Sequence, residues 1–576
     1  MRWFPRSLWA AAAAVLLAGP VSAASPRDEL LRFVPEDVGF CFVLQDLRAH
    51  AADLADSPFV EQVRQSPIGV ALRSSQELKQ LDQVDKTLRQ QLGVGWDQLR
   101  DDVFGDAIVF AYRPGPPGKP EQEQGLVLVR ARTAEVLARL VENLNKAQKK
   151  DGALTELEER SYKGATYFRR VEPGRTNYYY IRDAVLLFTS QEDMLRRAID
   201  VDRTAAADAE PPLARRLREV GADRAALALW LNPRAFDAGL EDKAAKAEGA
   251  DAALQKKVLA WWKAADGLAA WVTLDTEFHL SLAGQVRIEK LPAAARRLLT
   301  EASRPSDLWR YFPDDALLAC GGRLDAAALV EALQDLQPGN DAGAAANAAF
   351  GKDFVKDVLS RVGPDWGLCV TAPPADGRGG ATPTLLPQAF LAVRAAPGDE
   401  TAPVDQALLS AVHTAALLGV LGYNHGRPDG SPLRLKSVGS GTQEIHYVTG
   451  GVLPPGVQPA YGLTNGWMAF GSSPDVIRRF AEASPKPTPA DADFPLLRVS
   501  LKGWRAYLKD RRQPLATALA EKNGLTVEET RKRLDDLVGA LEFVDRLEVD
   551  CRTNPGQAVV TLTIQTARPL KKTAAP

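Results

Sequence analysis

The sequence predicts an α+β fold made twice: two tandem duplicated modules, each a mostly antiparallel sheet with helices inserted between its strands. Three observations lead there. Strand-like runs follow one another across short turn signals, which antiparallel hairpins allow and parallel crossovers do not. Amphipathic helical runs fall between the hairpins. The order of elements then returns after about 280 residues, far beyond the 20 to 50 of solenoid repeats, and so reads as domain duplication. At 576 residues the chain is also too long for one core.

The N-terminus carries Arg2 and Arg6, an apolar run from Leu8 to Leu17, and then Gly19-Pro20-Val21-Ser22-Ala23. This is the layout of a secretory signal peptide covering residues 1–23, with cleavage expected after Ala23. The run is shorter than the roughly 20 apolar residues a membrane span needs, and no later run is long enough. A periplasmic or secreted protein with no span after cleavage is expected.

The first module covers residues 24–300. It opens on Phe33-Val34-Pro35-Glu36-Asp37-Val38-Gly39-Phe40-Cys41-Phe42-Val43-Leu44: an aromatic, a proline, two acids and a buried strand. Leu78, Leu81, Val84, Leu88 and Leu92 then form a helical stripe, with Ser75 at its start and Gly93 at its stop. Strands from Asp106 to Tyr112 and from Gly125 to Ala131 flank the proline-rich loop Pro114 to Pro120, since prolines deny a ladder its donors. A helix from Thr133 to Lys146 buries Val136, Leu137, Leu140, Val141 and Leu144. Strands from Thr166 to Val171 and Asn177 to Ile181 turn at Glu172-Pro173-Gly174, and Ala184 to Thr189 adds another. Ser190-Gln191-Glu192-Asp193 opens a helix in the manner of a capping box. Ala225 to Leu231 is strand-like, a charged helical segment runs to Trp262, and a hairpin from Leu268 to Val286 closes the module.

The second module covers 301–566, with the boundary near Ala302-Ser303-Arg304-Pro305-Ser306, where Pro, Ser and charge separate two helical patterns. It repeats the opening as Phe312-Pro313-Asp314-Asp315-Ala316-Leu317-Leu318-Ala319-Cys320. Phe188-Thr189-Ser190 returns as Phe470-Gly471-Ser472, and Pro173-Gly174 as Pro455-Gly456, both at an offset of 282. The loop Pro373 to Gly380, the helix Val404 to Leu418, a capped helix from Thr526 and a hairpin from Arg546 to Gln565 complete the repeat. A basic tail, 567–576, follows.

Chemistry is harder to find. Net charge is −2 with 45% hydrophobic and 25% charged residues, which excludes the strongly basic footprint of a nucleic-acid binder. The histidines His50, His279, His413, His425 and His446 show no metal-ligand spacing, and His413 reads as a satisfied helix residue. Gly439-Ser440-Gly441 lacks the outer spacing of a nucleophile elbow. Glu36-Asp37 and Asp314-Asp315 recur but read as solvated turns before strands. Arg196-Arg197 and Arg478-Arg479 recur on a helix, with stems packed on its flank. Tyr178 and Tyr180 share one strand face and Tyr179 the other. Trp261-Trp262 is expected to dock on the sheet.

Cys41, Cys320, Cys369 and Cys551 read as small buried residues on strands. If a disulfide exists, Cys320 with Cys369 is the expected pair, both lying on strands of one module. No catalytic, cofactor-binding or metal residue is assigned.

These paired modules, each with a Pro-acid-acid strand opening and a strand-Ser-x-x-Asp helix near its middle, resemble an uncharacterised family of exported bacterial proteins that carry a domain of unknown function. The resemblance covers nearly all of the mature chain and implies no activity, cofactor or catalytic residue. The expectation is an exported non-enzymatic protein that binds a protein, lipid or envelope polymer. The alternative is an envelope hydrolase whose site is assembled from dispersed residues at the module interface.

Overall fold

Period-2 burial builds the sheets. β1 (Phe40–Gln45) alternates half-buried and buried side chains along its length, and Ala107, Val109 and Ala111 of β2 (Ala107–Arg113) are wholly buried on one face. A computed structural model describes residues 25–73, 75–204, 209–336, 362–373, 385–396, 404–425, 431–439, 444–487 and 493–571. The expected signal segment, most of the Pro373 to Gly380 loop, Ser440 and Gly441 lie outside the described residues. By its contacts the chain divides into two compact units. One comprises 1–49, 79–113 and 122–223; the other comprises 50–78, 114–121 and 224–576.

In the first unit, β1 and β2 are followed by β3 (Gln124–Arg130), β4 (Glu156–Tyr162), β5 (Ala165–Glu172), β6 (Arg175–Arg182) and β7 (Val185–Thr189). All pairings are antiparallel, in the order β1-β2-β3-β7-β6-β5-β4. Short turns impose the hairpins: Gly174, at φ 80°, lies between β5 and β6, where only glycine is unstrained. The helix Gln76–Leu92 ends at Gly93, also left-handed at φ 73°. Of the expected stripe, the side chains of Leu78 and Leu81 lie outside the described residues. Leu88 packs against a cluster centred on Leu99, Val103 and Val129, but Val84 is exposed.

The second unit holds β8 (Leu227–Leu231), β9 (Ala265–Leu274), β10 (Phe278–Val286), β11 (Leu318–Arg323), β12 (Val362–Thr371), β13 (Gln388–Ala395), β14 (Arg434–Val438), β15 (Ile445–Thr449), β16 (Ala460–Thr464), β17 (Trp467–Gly471), β18 (Asp493–Ser500), β19 (Val544–Asn554) and β20 (Gln557–Thr566). They pair, again antiparallel, in the order β8-β9-β10-β20-β19-β18-β11-β12-β13-β17-β16-β15-β14. Its β11-β12-β13-β17-β16-β15-β14 segment has the strand order of the first unit. The capping box at Thr526 forms as expected, with Glu529 reaching back to the Thr526 N–H at 3.0 Å.

β4 was not expected from the sequence. Its Glu-Leu-Glu-Glu-Arg run has no apolar alternation, because β4 pairs only with β5 among the described strands and its charges face solvent. Arg169 and Arg160 neutralise Glu158, in keeping with charge-blunted edge strands.

The expected Cys320–Cys369 disulfide does not form, and all four cysteines are free. The register explains it: Cys369 faces Ala319 and Cys320 faces Leu368. The two thiols are one residue out of step and so point to opposite faces of the sheet. Burial pushes the Cys41 and Cys369 thiols up to about 12 and Cys551 to about 11.

Candidate functional site

The opening acids Glu36, Asp37, Asp314 and Asp315 are all exposed, as a solvated turn requires, and one of each pair, Asp37 and Asp314, also carries an ion pair. In the first turn, Phe33, Val34 and Pro35 are buried while Glu36 and Asp37 are exposed. Asp37 accepts from Arg113 at 2.9 Å and from Arg197 at 2.7 Å. Partial burial pushes the Asp37 carboxyl up, but the two guanidinia outweigh it and hold the group below its ordinary value. Arg196, beside it, instead pairs with Glu192 at 2.7 Å.

In the second turn, Lys486 Nζ donates to the Phe312 carbonyl at 2.9 Å and to Asp314 at 2.6 Å, which lowers the Asp314 carboxyl. Arg478 pairs with Asp475, and Arg479 donates to Gln388.

A cleft of about 430 Å³ lies beside this second turn, wholly within the second unit. One wall is the segment from Ser303 to Asp314. Ser306 caps the short 3₁₀ turn Asp307–Arg310, which presents Trp309 and Arg310. Asp365, buried on β12, accepts from the Asp307 N–H at 3.1 Å and from Arg323 at 3.0 Å, fixing the turn to the sheet. Trp309 stacks edge-on against Phe312 with ring centres 5.0 Å apart, and its indole N–H donates to the Gly321 carbonyl at 3.1 Å.

The facing wall is Lys486, Pro487 and the start of β18, with Asp493, Phe494, Pro495 and Arg498. Pro495 sits at a register shift against β19, the kind of position where a strand tolerates a residue without an N–H. The walls meet because β11 pairs with β18, Leu318 facing Val499.

Among the described residues the lining contains no histidine or cysteine, and each of its three hydroxyls is engaged with backbone. Ser303 donates to the Leu299 carbonyl, Thr553 to the Ser303 carbonyl, and Ser306 accepts from the Leu308 N–H. Asp550, opposite Pro495 on β19, is half-buried; burial first and Glu548 second raise its carboxyl, against the pull of Arg498.

A second cluster joins residues that the sequence left apart. His413, on the helix Val404–His425, shares a hydrogen bond with the Tyr461 hydroxyl at 2.9 Å. This satisfies the helix histidine as expected. His446 faces Tyr461 across the β15–β16 ladder, and its ring centre is 4.7 Å from that of His413. Burial, and then His413, lower the His446 imidazole against the opposing Glu444.

The first unit holds a parallel arrangement. Tyr179 faces Phe168 across β5–β6 and stacks on it at 4.9 Å, and Asn145 of the helix Ala134–Lys150 donates to the Tyr179 hydroxyl at 3.2 Å. Tyr178 and Tyr180 fall on the other face, as the alternation requires. The expected docking of Trp261-Trp262 on the sheet is not what forms: Trp261 is exposed, and Trp262 packs on the 3₁₀ turn Pro233–Phe236, its N–H donating to the Pro233 carbonyl at 3.2 Å.

Among the described residues no group of three or more His, Cys, Asp and Glu is placed to hold a metal ion, and no helix is long and apolar enough to cross a membrane. Sequence reading missed Trp309, Arg310, Lys486 and Arg498. The one available signal was the run Trp309-Arg310-Tyr311-Phe312 before Pro313, three aromatics and a cation without the periodicity of a helix or strand.

A family model described as a protein of unknown function (DUF3352) matches residues 71–368. No curated protein and no solved structure matches the chain.

Proposed function

Because the chain belongs to the DUF3352 family of proteins of unknown function, we propose its role from the cleft itself: an exported, non-enzymatic binding protein of the cell envelope, built from two duplicated modules. The observation that carries this reading is the cleft's composition. It is walled by Trp309, Phe312, Phe494 and several prolines, with a few placed charges, as ligand sites are. Among the described residues its hydroxyls are bound to backbone and no histidine stands beside them, so no hydroxyl–histidine pair lines it.

Export rests on the signal pattern of residues 1–23. Duplication is supported by the shared strand order and by Tyr179 and Tyr461, which stand at the offset of 282 seen in sequence and face equivalent strands.

The test is native mass spectrometry of the chain recovered from envelope extract. A bound small molecule that is lost in Phe494→Ala supports the cleft as a binding site. A chain that carries no bound mass, or keeps it unchanged in the variant, tells against it. The same spectra read the N-terminus: Ala24 is expected, and Met1 refutes export.

A further inference from the structure

The charges around the cleft differ in how they are met. Lys486 is committed to Asp314 and the Phe312 carbonyl. Arg498 donates to Glu548 at 2.7 Å, with its guanidinium 5.9 Å from the centre of the Trp309 ring. Asp493 lies 3.4 Å from Arg552. Arg310 stands apart. Its Nε donates to the Lys486 carbonyl at 2.9 Å, and its two terminal nitrogens meet no partner among the described residues. It is half-buried, whereas Asp307, the other lining charge without an ion pair, is exposed to solvent.

We propose, building on the reading of this cleft as a binding site, that its ligand is an amphipathic organic acid: a carboxylate on an apolar body. The carboxylate is received by the two terminal nitrogens of Arg310. The apolar body lies against Trp309, Phe312 and Phe494.

Three physical reasons converge on this class. A guanidinium held through Nε keeps its remaining donors as a fixed fork, and that fork matches a carboxylate in two parallel hydrogen bonds. A half-buried cation without a counter-charge has lost part of its hydration, and an anion restores what was lost. The walls beside it are aromatic and proline surface, which an apolar body covers and a wholly polar anion leaves wet. The volume of about 430 Å³ lies within the range of small-molecule sites. A cationic head is repelled by Arg310, and a neutral one forgoes the charge-assisted bonds.

The experiment is calorimetric titration of the full chain with dodecanoate, dodecanol and dodecylammonium, the two ions below their micelle-forming concentrations and the alcohol below its solubility limit. Dodecanoate is expected to bind at least about 10-fold more tightly than dodecanol, the scale of a hydrogen bond to a charged group. Dodecylammonium is expected to bind more weakly than either. Arg310→Gln should weaken dodecanoate about 10-fold and leave dodecanol unchanged. Arg310→Lys, which keeps the charge but not the fork, should fall between. Trp309→Ala should weaken dodecanoate and dodecanol alike.

If dodecanol binds as tightly as dodecanoate, or Arg310→Gln leaves dodecanoate unaffected, the organic-acid assignment is overturned while the cleft remains a binding site. If none of the three probes binds, or Trp309→Ala changes no affinity, the cleft reading falls with it.

Discussion

Gly367→Ala tests whether the cleft wall is held by close packing on β12. A Cβ at Gly367 would stand 2.4 Å from Leu308 Cδ2, 2.9 Å from Phe312 Cζ and 3.0 Å from the Cys320 carbonyl oxygen. Leu308 is wholly buried and away from the cleft, so the closest of these contacts has no open space to relax into; Phe312 borders open space only on its cleft side. The carbonyl belongs to the β11–β12 ladder and cannot retreat without loosening it. The added methyl therefore forces off-rotamer side chains or a backbone shift, at about 1–3 kcal/mol. For a unit of about 390 residues, an unfolding entropy of about 2.1 cal/mol/K per residue makes each kcal/mol worth about 1 °C in the thermal midpoint, so a fall of roughly 1–4 °C is expected. Gly239→Ala is the matched control in the same unit: it lies on the helix Asp237–Lys246, and a methyl added there would meet nothing within 4 Å. It should hold or raise the midpoint, since alanine is the better helix former by up to about 1 kcal/mol. Scanning calorimetry of the three proteins decides the matter. A Gly367→Ala midpoint equal to that of Gly239→Ala would refute the claim that Leu308 and Phe312 are wedged against this strand.

The remaining predictions are smaller. The fold keeps His446 neutral below its ordinary value of 6.5, so its contribution is complete above about pH 6.5 and is lost as pH falls from there toward the lowered folded-state value. His446→Phe should flatten the decline in thermal midpoint over that acid range, and an unchanged slope would remove His446 from the cause. Thr526→Ala should cost about 1 kcal/mol through the lost cap, read by urea unfolding. Asp37→Asn should cost no more than about 1 kcal/mol, because its partners are solvent-accessible, and a larger loss in the same assay would mean the pairs are worth more than their exposure allows. Native protein at pH 8 should react slowly with a thiol reagent at Cys41, Cys369 and Cys551, while unfolding should release four thiols with no reductant added.

The strands and hairpins were legible where burial is one-sided, because period-2 alternation then survives in the sequence. β5, β6 and β7 are read within a few residues for that reason. β4 was not, since an edge strand covered in charge carries no such signal. Strand order is a different matter. Periodicity says which face is buried but not which strand is the neighbour, so the placement of β7 beside β3 has no local trace. The cleft is hidden in the same way: residues near 310 meet residues near 490 only through the pairing of β11 with β18. The opening acids show the limit of composition. The acids before each strand are exposed as they read, but nothing local shows that Arg113 and Arg197 reach Asp37, or Lys486 reaches Asp314, from far along the chain.

On the proposed duplication, the parallel tyrosines separate what the two halves keep from what they change. Each tyrosine is buried, sits in direct register with a ring on the next strand, and has its hydroxyl bonded by a polar side chain from the covering helix. That arrangement satisfies a polar atom inside a helix–sheet layer, so it is under structural pressure wherever the layer exists. The partners are free to vary: Asn145 and Phe168 in one half stand where His413 and His446 stand in the other. The same holds for the opening turns, where Asp37 is met by two guanidinia and Asp314 by one ammonium whose chain then forms a cleft wall. Chemistry specific to one half is therefore expected in these partners, not in the repeated motif. This is why the recurring Pro-acid-acid stretch points to the right place in the fold while the residues argued to bind, Trp309 and Arg310, lie just before it.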